Sequence, residues 1–177
     1  IFYGKMDFEN IFSSIDNGAR IFGYPVKDPE RYGVIEFDSK NNVKNIIEKP
    51  VNPPSKYAVP GLYIYDRNVT KYAESLKPSS RGEIEITDLN NIYLSKDKLE
   101  CHLFSRGVAW LDAGTALSLN ESSNFVMAIE QRQTYKIACL EEIALRRNFI
   151  TSSKFKSIVS DIPDSQYKEY LESIFDS

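Results

Sequence analysis

Over the first 115 residues, short apolar runs alternate with polar residues and are separated by turn signals, a pattern typical of β-strands. "ARIFGYPV" is a buried strand, and "YGVIEFD" and "NNVKNIIEKP" form a hairpin that turns across residues 39–42. "AVPGLYIYD", "LECHLFS" and "VAWLD" are predicted to be further strands. The predicted strands therefore cover residues 19–26, 32–38, 41–50, 58–66, 99–105 and 108–112.

Elsewhere apolar residues recur every three or four positions, which predicts helices over residues 7–17, 68–76, 86–96 and 115–133. From Leu140 onward the pattern is helical alone. The fold class is therefore α/β over residues 1–115, followed by a helical segment over 116–177. Because the chain opens with "IFYGKMDFEN", without methionine and as if at the end of a strand, we expect an upstream part of the α/β domain to be missing.

Composition narrows the class of protein. The 177 residues carry 22 basic and 25 acidic side chains, a net charge of −3, and the basic ones are scattered. This argues against binding to nucleic acid or to an anionic membrane. No apolar run approaches the roughly 18 residues that cross a bilayer, and no signal peptide opens the chain. Cys101 and Cys139 lack metal-ligand spacing, so we expect reduced thiols in a cytoplasmic protein.

Polar groups stand at the ends of several predicted strands, where ligands of open α/β sheets bind. "ERYGV" puts Gly33 just before a strand, where a glycine allows close approach of a ligand. "IIEKP" ends a strand with Glu48 and Lys49, a carboxylate that accepts from hydroxyls beside an ammonium that neutralises phosphate. Read singly, the glycine is a turn residue and the charge pair a solvated hairpin end.

Two later stretches add charge. "SSRGEIEITD" offers Arg81, which can meet phosphate bidentately, although the same residues also suit a helix start capped by Thr87 or Asp88. "GVAWLDAGT" holds the single tryptophan, Trp110, followed by Asp112. A strand-end carboxylate is a typical Mg²⁺ ligand beside phosphate. The same two residues are also compatible with a tryptophan in the core and an aspartate that caps the following helix.

The order and spacing of these stretches are more specific than any one of them. "DPERYGV", "IIEKP", "AVPGLYIYD", "LKPSSRGEIEITDLN", "GVAWLDAGT" and "EQRQTYKIACLEEIALRRNFI" together resemble the glucose-1-phosphate thymidylyltransferases of the sugar nucleotidyltransferase family. The resemblance runs from residue 1 to about residue 150 and continues more weakly to the end.

The resemblance implies a Rossmann-like mixed sheet and a Mg²⁺-dependent reaction of dTTP with glucose 1-phosphate, which gives dTDP-glucose for dTDP-rhamnose biosynthesis. It implies catalytic, phosphate-gripping roles for Lys49 and Arg81, and Asp112 as the second Mg²⁺ ligand. The implied substrate-binding residues are Tyr32, Gly33, Glu48, Val59, Glu83 and Trp110. It further implies a homotetramer, with the helical segment packing partly on the α/β body and partly at a subunit interface.

The sequence also departs from that family. The family's glycine-rich phosphate loop and its Leu-Gly-Asp, which supplies the first Mg²⁺ ligand, do not occur in these 177 residues. We therefore expect the chain alone to be inactive. Two alternatives stay open: a related enzyme that uses another nucleotide, and a non-catalytic fragment that serves as a binding or assembly module.

Overall fold

The computed structural model describes residues 1–7 and 17–175. The chain forms two compact units, Ile1–Leu111 and Asp112–Ser177. The first is α/β and the second is helical. The helix predicted over residues 7–17 falls largely on residues 8–16, which lie outside the described residues.

The first unit is built on a mixed sheet around one central strand. The strands of this unit are β1 Phe2–Tyr3, β2 Ala19–Pro25, β3 Gly33–Phe37, β4 Val43–Glu48, β5 Tyr57–Ala58, β6 Tyr63–Tyr65, β7 Leu99–Leu103 and β8 Ala109–Trp110. The order β4-β3-β5-β2-β6 is completed by β7, which pairs with β2 in parallel, whereas β1 and β8 form a separate antiparallel pair. β2 is the central strand because it pairs with β5, β6 and β7. Its consecutive side chains Ile21 and Phe22 are both fully buried as a result.

The predicted hairpin is confirmed. Strands β3 and β4 pair in antiparallel register from Gly33 opposite Glu48 to Phe37 opposite Val43. The Asp38 carboxylate accepts the backbone N–H groups of Lys40 and Asn42, and Asn41 takes the left-handed conformation at φ 63°. This side-chain-closed turn is the chemistry expected of an Asp-Ser-Lys-Asn-Asn sequence.

The prediction of a single strand over residues 58–66 is wrong. The strand is broken into β5 and β6, which both pair with β2, while the four residues 59–62 lie unpaired opposite Phe22 and Gly23. Pro60 cannot donate to the ladder, and the Val59 N–H turns away to the Gly33 carbonyl, 2.8 Å away. The hydrogen bond from Val59 thus links the segment between β5 and β6 to strand β3 of the hairpin.

Helices α1 Val69–Glu74 and α2 Ile86–Leu94 lie within the ranges 68–76 and 86–96 that were predicted to be helical. Tyr93 and Leu89 of α2 pack with Ala19 of the sheet in one core cluster. The Asp66 carboxylate accepts the Gly18 N–H and the Tyr93 hydroxyl. This carboxylate therefore ties the start of β2 to α2.

The second unit contains helices α3 Ala116–Gln133, α4 Leu140–Arg146, α5 Ser152–Asp161 and α6 Gln166–Ser173. Thr115 caps α3 in a reciprocal capping box with Ser118. The core of the unit consists of four side chains, Cys139, Phe155, Val159 and Leu171. Both cysteines of the chain are free thiols, and none of the described helices has the length and apolar character to cross a membrane.

Candidate active site

Three adjoining segments bring five of the predicted site residues together in the first unit. The register of the hairpin places Gly33 beside Glu48. The Lys49 N–H donates to the Tyr32 carbonyl at 3.0 Å, and the Val59 N–H donates to the Gly33 carbonyl. The site is therefore formed by backbone pairing of residues far apart in sequence, at the open end of β3 and β4.

The Glu48 carboxylate is held on both sides. The Thr87 hydroxyl donates to Glu48 Oε2 at 2.6 Å, and Arg81 Nη1 lies 3.7 Å from Oε1. A methyl group added at Gly33 would lie 3.1 Å from Thr87 Oγ1 and 3.2 Å from Glu48 Oε2, closer than ordinary contact. Glycine at position 33 therefore lets the carboxylate and the hydroxyl approach the strand.

Thr87 is a site residue that the sequence did not single out. The alternative in which Thr87 or Asp88 caps the helix is wrong. The N-cap of α2 is Glu85, without a side-chain capping bond, whereas Thr87 is inside the helix, 4% exposed, and donates to Glu48. A buried threonine in the first turn of a helix offers a donor, but its partner 39 residues earlier cannot be read from sequence.

Arg81 lies among three carboxylates. Its Nη2 donates to Glu83 at 2.6 Å, and its Nη1 is 3.7 Å from both Glu48 and Glu85. Glu85 is further fixed by the Ser79 hydroxyl at 2.8 Å. The 3.7 Å separations are ion pairs and not hydrogen bonds, so most of the five guanidinium N–H donors are still able to bind a phosphate. The structure thus brings together Arg81, Glu83 and Glu48, with carboxylates in excess.

Tyr63 of β6 belongs to the same neighbourhood. Burial raises the pKa of its phenol, and the nearby negative charge of Glu48 raises the pKa further. A neutral phenol beside a carboxylate offers a hydroxyl for hydrogen bonding, and sequence analysis missed it because Tyr63 is one of 11 tyrosines.

Lys49 has an unusual backbone. Its φ is 43°, in the left-handed region that non-glycine residues rarely adopt, and buried Pro50 follows it. Such a conformation costs on the order of 1–3 kcal/mol and persists where the surroundings enforce it. The side chain is exposed, and its ammonium forms no ion pair with the residues that the structure describes.

An aromatic group forms another part of the first unit's surface. The Trp110 ring lies 5.2 Å from that of Tyr32 and 5.7 Å from that of Tyr24, both edge-to-face. The Tyr24 hydroxyl donates to the Val108 carbonyl at 3.3 Å. Trp110 is thus held by two tyrosines at the end of β8, and its contact with Tyr32 joins it to the hairpin end.

Asp112 is the first residue of the second unit. Its carboxylate folds back toward Gly114, where an added methyl group would lie 3.3 Å from Oδ2. Among residues 1–7 and 17–175, no group of three or more Asp, Glu, His or Cys side chains could hold a metal ion. A single carboxylate nevertheless fits Mg²⁺, which commonly takes one or two from protein and completes its octahedron with water and phosphate oxygens.

Comparison with known proteins places this geometry in a family. The model of the family described as "Nucleotidyl transferase" matches residues 2–129, most of the chain. The chain belongs to the nucleotidyl transferase family. That membership accounts for a mixed sheet whose strand ends carry charged residues that are suited to phosphate.

Several relatives are named glucose-1-phosphate thymidylyltransferase. The Neisseria gonorrhoeae protein is 44% identical over 173 residues, 97% of this chain and 60% of its own length. A Xanthomonas campestris protein is 46% identical over 159 residues, 90% of this chain and 54% of its own. The chain therefore spans only 51–60% of the length of these curated relatives.

Solved structures agree on the fold. A Bacillus anthracis protein described as a glucose-1-phosphate thymidylyltransferase in complex with sucrose is 39% identical, with a TM-score of 0.61 over 70% of this chain and 50% of that one. A UDP-glucose pyrophosphorylase complexed with UDP-glucose has a TM-score of 0.58 at 23% identity, covering 67% of this chain and 47% of that one, which supports the fold alone. The predicted α/β nucleotidyltransferase fold is confirmed.

Proposed function

We propose that this chain carries the sugar-phosphate half of a glucose-1-phosphate thymidylyltransferase, which joins dTTP and glucose 1-phosphate into dTDP-glucose and pyrophosphate. The observation that carries the proposal is the Glu48 carboxylate, oriented by Thr87 and flanked by Arg81 at the Gly33 end of the hairpin. The 43–46% identity to enzymes of that name supports the choice of substrates.

Sugar binding follows from the hydrogen-bonding inventory. An ionised carboxylate only accepts hydrogen bonds, so Glu48 suits hydroxyl groups. The hydrogen bond from Thr87 fixes Oε2, and Oε1, 3.7 Å from Arg81 Nη1, can accept from a sugar hydroxyl. Gly33 adds no side chain that would block the approach. In the proposal Val59 and Glu83 supply further sugar contacts, and the rings of Trp110 and Tyr32 contact the apolar face of the sugar.

Phosphate binding falls to Lys49 and Arg81. The ammonium of Lys49 is accessible and unpaired among the described residues, and Arg81 can exchange exposed Glu83 for a phosphate oxygen. That exchange is inexpensive because a solvent-exposed ion pair contributes roughly 0–1 kcal/mol. Both cations then offset negative charge on the phosphates, while Glu48 and Glu85 hold Arg81 in position.

The reaction itself requires little covalent work from the protein. An oxygen of the sugar phosphate attacks the α-phosphorus of dTTP, a new phosphorus–oxygen bond forms, and the bond to pyrophosphate breaks. Positioning and charge neutralisation by Lys49 and Arg81 lower the barrier. In the proposal Asp112 helps to hold Mg²⁺, which when bound neutralises charge on the phosphate oxygens.

The proposal is tested by offering the full-length protein glucose 1-phosphate and Mg²⁺ with dTTP, UTP, CTP or ATP in turn. We expect pyrophosphate release with dTTP and a product with the mass of dTDP-glucose. Preference for UTP or CTP would favour a related enzyme with another nucleotide. No turnover with any nucleotide would favour a binding or assembly module.

A further inference from the structure

A cavity of about 480 Å³ lies at the opposite end of the β3–β4 hairpin from the candidate active site. The active-site end is the Gly33–Glu48 pair, and the cavity lies against the Phe37–Val43 pair. Gly33 and Phe37 are four residue steps apart along β3, or roughly 13 Å at 3.3 Å per residue. The volume falls within the usual range of small-molecule sites, roughly 300–1,000 Å³.

One wall of the cavity is apolar. Its lining includes six apolar side chains from the hairpin, the end of α2 and β7: Phe37, Val43, Leu94, Leu99, Cys101 and Leu103. Four of these pack against the core formed by Ile21, Ile35 and Ile46, so this wall is continuous with the rigid interior of the unit. A pre-formed apolar wall of this kind suits the hydrocarbon part of a ligand.

The polar groups of the lining are mainly hydrogen-bond acceptors. They belong to Asn41, Asn42, Asp97 and Glu100, so none of the ten lining residues is lysine, arginine or histidine. The Asn42 amide nitrogen donates to Asp38 and leaves its oxygen available. Glu100 already accepts hydrogen bonds from the Nε and Nη2 groups of Arg20, whereas Asp97 forms no ion pair within the described part of the chain.

We propose that this cavity is a binding site for a small organic cation, with its apolar body on the Phe37 and Leu103 side and its ammonium group at Asp97. Sugar phosphates and nucleotides do not fit this chemistry because none of the lining residues is cationic and the neighbouring Arg20 guanidinium is engaged by Glu100. The site is therefore distinct from the candidate active site and does not depend on the proposed nucleotidyl transfer.

Three probes of one shape test the charge requirement: 4-phenylbutylamine, 4-phenylbutanol and 4-phenylbutyrate, titrated into the full-length protein by calorimetry. The amine should bind most tightly, the alcohol about fivefold more weakly and the carboxylate not detectably, since an exposed ion pair contributes up to roughly 1 kcal/mol. Saturating glucose 1-phosphate should leave amine binding unchanged. Displacement of the amine by glucose 1-phosphate, or equal binding of all three probes, would overturn the proposal.

Substitutions of lining residues test whether the probe binds in the cavity. Leu103→Trp fills the space and should abolish binding of the amine. Asp97→Asn keeps the shape and tolerates the left-handed backbone at φ 55°, and should remove the preference for amine over alcohol. Asp161→Asn makes the same charge change on α5 and should bind like wild type. Full binding by Leu103→Trp, with its fold intact by circular dichroism, would contradict the site.

Cys101 gives an independent readout within the same sample. Burial raises its pKa to about 12, so alkylation by iodoacetamide is followed at pH 9 by peptide mass spectrometry. The amine should slow modification of Cys101, whereas Cys139, in the core of the second unit, should react at an unchanged rate. Equal rates at Cys101 with and without saturating amine would exclude binding against this wall.

Discussion

At the scale of single residues, Glu48 depends on two neighbours of opposite kinds. Thr87 donates a hydrogen bond that fixes one carboxylate oxygen, and Gly33 has no side chain that would crowd the carboxylate. Without the bond the carboxylate would turn toward Arg81, which has an oxygen of Glu48 within 3.7 Å. The orientation of the acceptor is therefore set by residues that need not touch the substrate.

The first prediction concerns Thr87. Replacement by alanine removes a hydrogen bond to a charged acceptor, worth roughly 1.5–3 kcal/mol, so kcat/KM for glucose 1-phosphate should fall about tenfold or more. Thr87→Ser keeps the hydroxyl and should retain most of the activity. Steady-state kinetics decide, and equal losses in the two variants would show that the methyl group, and not the hydrogen bond, matters.

The second prediction concerns charge at the reacting phosphates. Lys49→Ala removes a cation and Asp112→Asn weakens a proposed Mg²⁺ ligand, so each should lower the rate on the order of 10²–10³-fold. Lys40→Ala, an exposed lysine at the hairpin turn, is the matched control and should be neutral. Near-normal turnover by Lys49→Ala and Asp112→Asn, with intact circular dichroism spectra, would eliminate both residues from the mechanism.

At the scale of elements, local patterns predicted most strands and helices because alternation and turn residues are properties of neighbours. The hairpin and α1 to α3 follow this rule. The break between β5 and β6 did not, because Val59 bonds to Gly33 across the sheet and diverts the chain. Motif resemblance indicated Glu48 and Arg81, whereas Thr87 and Tyr63 required the tertiary contacts that sequence does not contain.

The third prediction separates buried from exposed phenylalanines in the second unit. Phe155 of α5 is fully buried, whereas Phe149, just before the helix, is 77% exposed. Phe155→Ala should lower the free energy of unfolding of the unit by about 3–5 kcal/mol, and Phe149→Ala by less than about 0.5 kcal/mol. Amide hydrogen exchange of α5 and α6 measures this directly. Comparable losses in both variants would contradict the described core.

At the scale of the whole molecule, the second unit exposes several large apolar side chains. Leu140, Ile143 and Phe149 are 73%, 44% and 77% exposed. Clustered exposed apolar side chains mark interaction surfaces in soluble proteins. This exposure supports the expectation that the helical segment contributes to a homo-oligomer.

The fourth prediction follows from that surface. Deleting residues 140–177 from the full-length protein should reduce its oligomeric state, measured by light scattering, and lower its melting temperature. Phe149→Asp is the companion variant, which should weaken assembly while the fold is retained. An unchanged oligomer with an unchanged melting temperature in the deletion variant would leave the segment without a role in assembly.

The central claim is that Glu48 accepts hydroxyl groups of the sugar phosphate during nucleotidyl transfer, and a cycle of enzyme and substrate variants tests it most directly. Pyrophosphate release from dTTP is measured with glucose 1-phosphate and its 2-deoxy and 3-deoxy analogues, for wild type and Glu48→Gln. Loss of the contacted hydroxyl should cost wild type on the order of tenfold in kcat/KM. The same loss should cost Glu48→Gln little, because the charged acceptor is already gone. Equal penalties in both enzymes for every analogue would contradict the account.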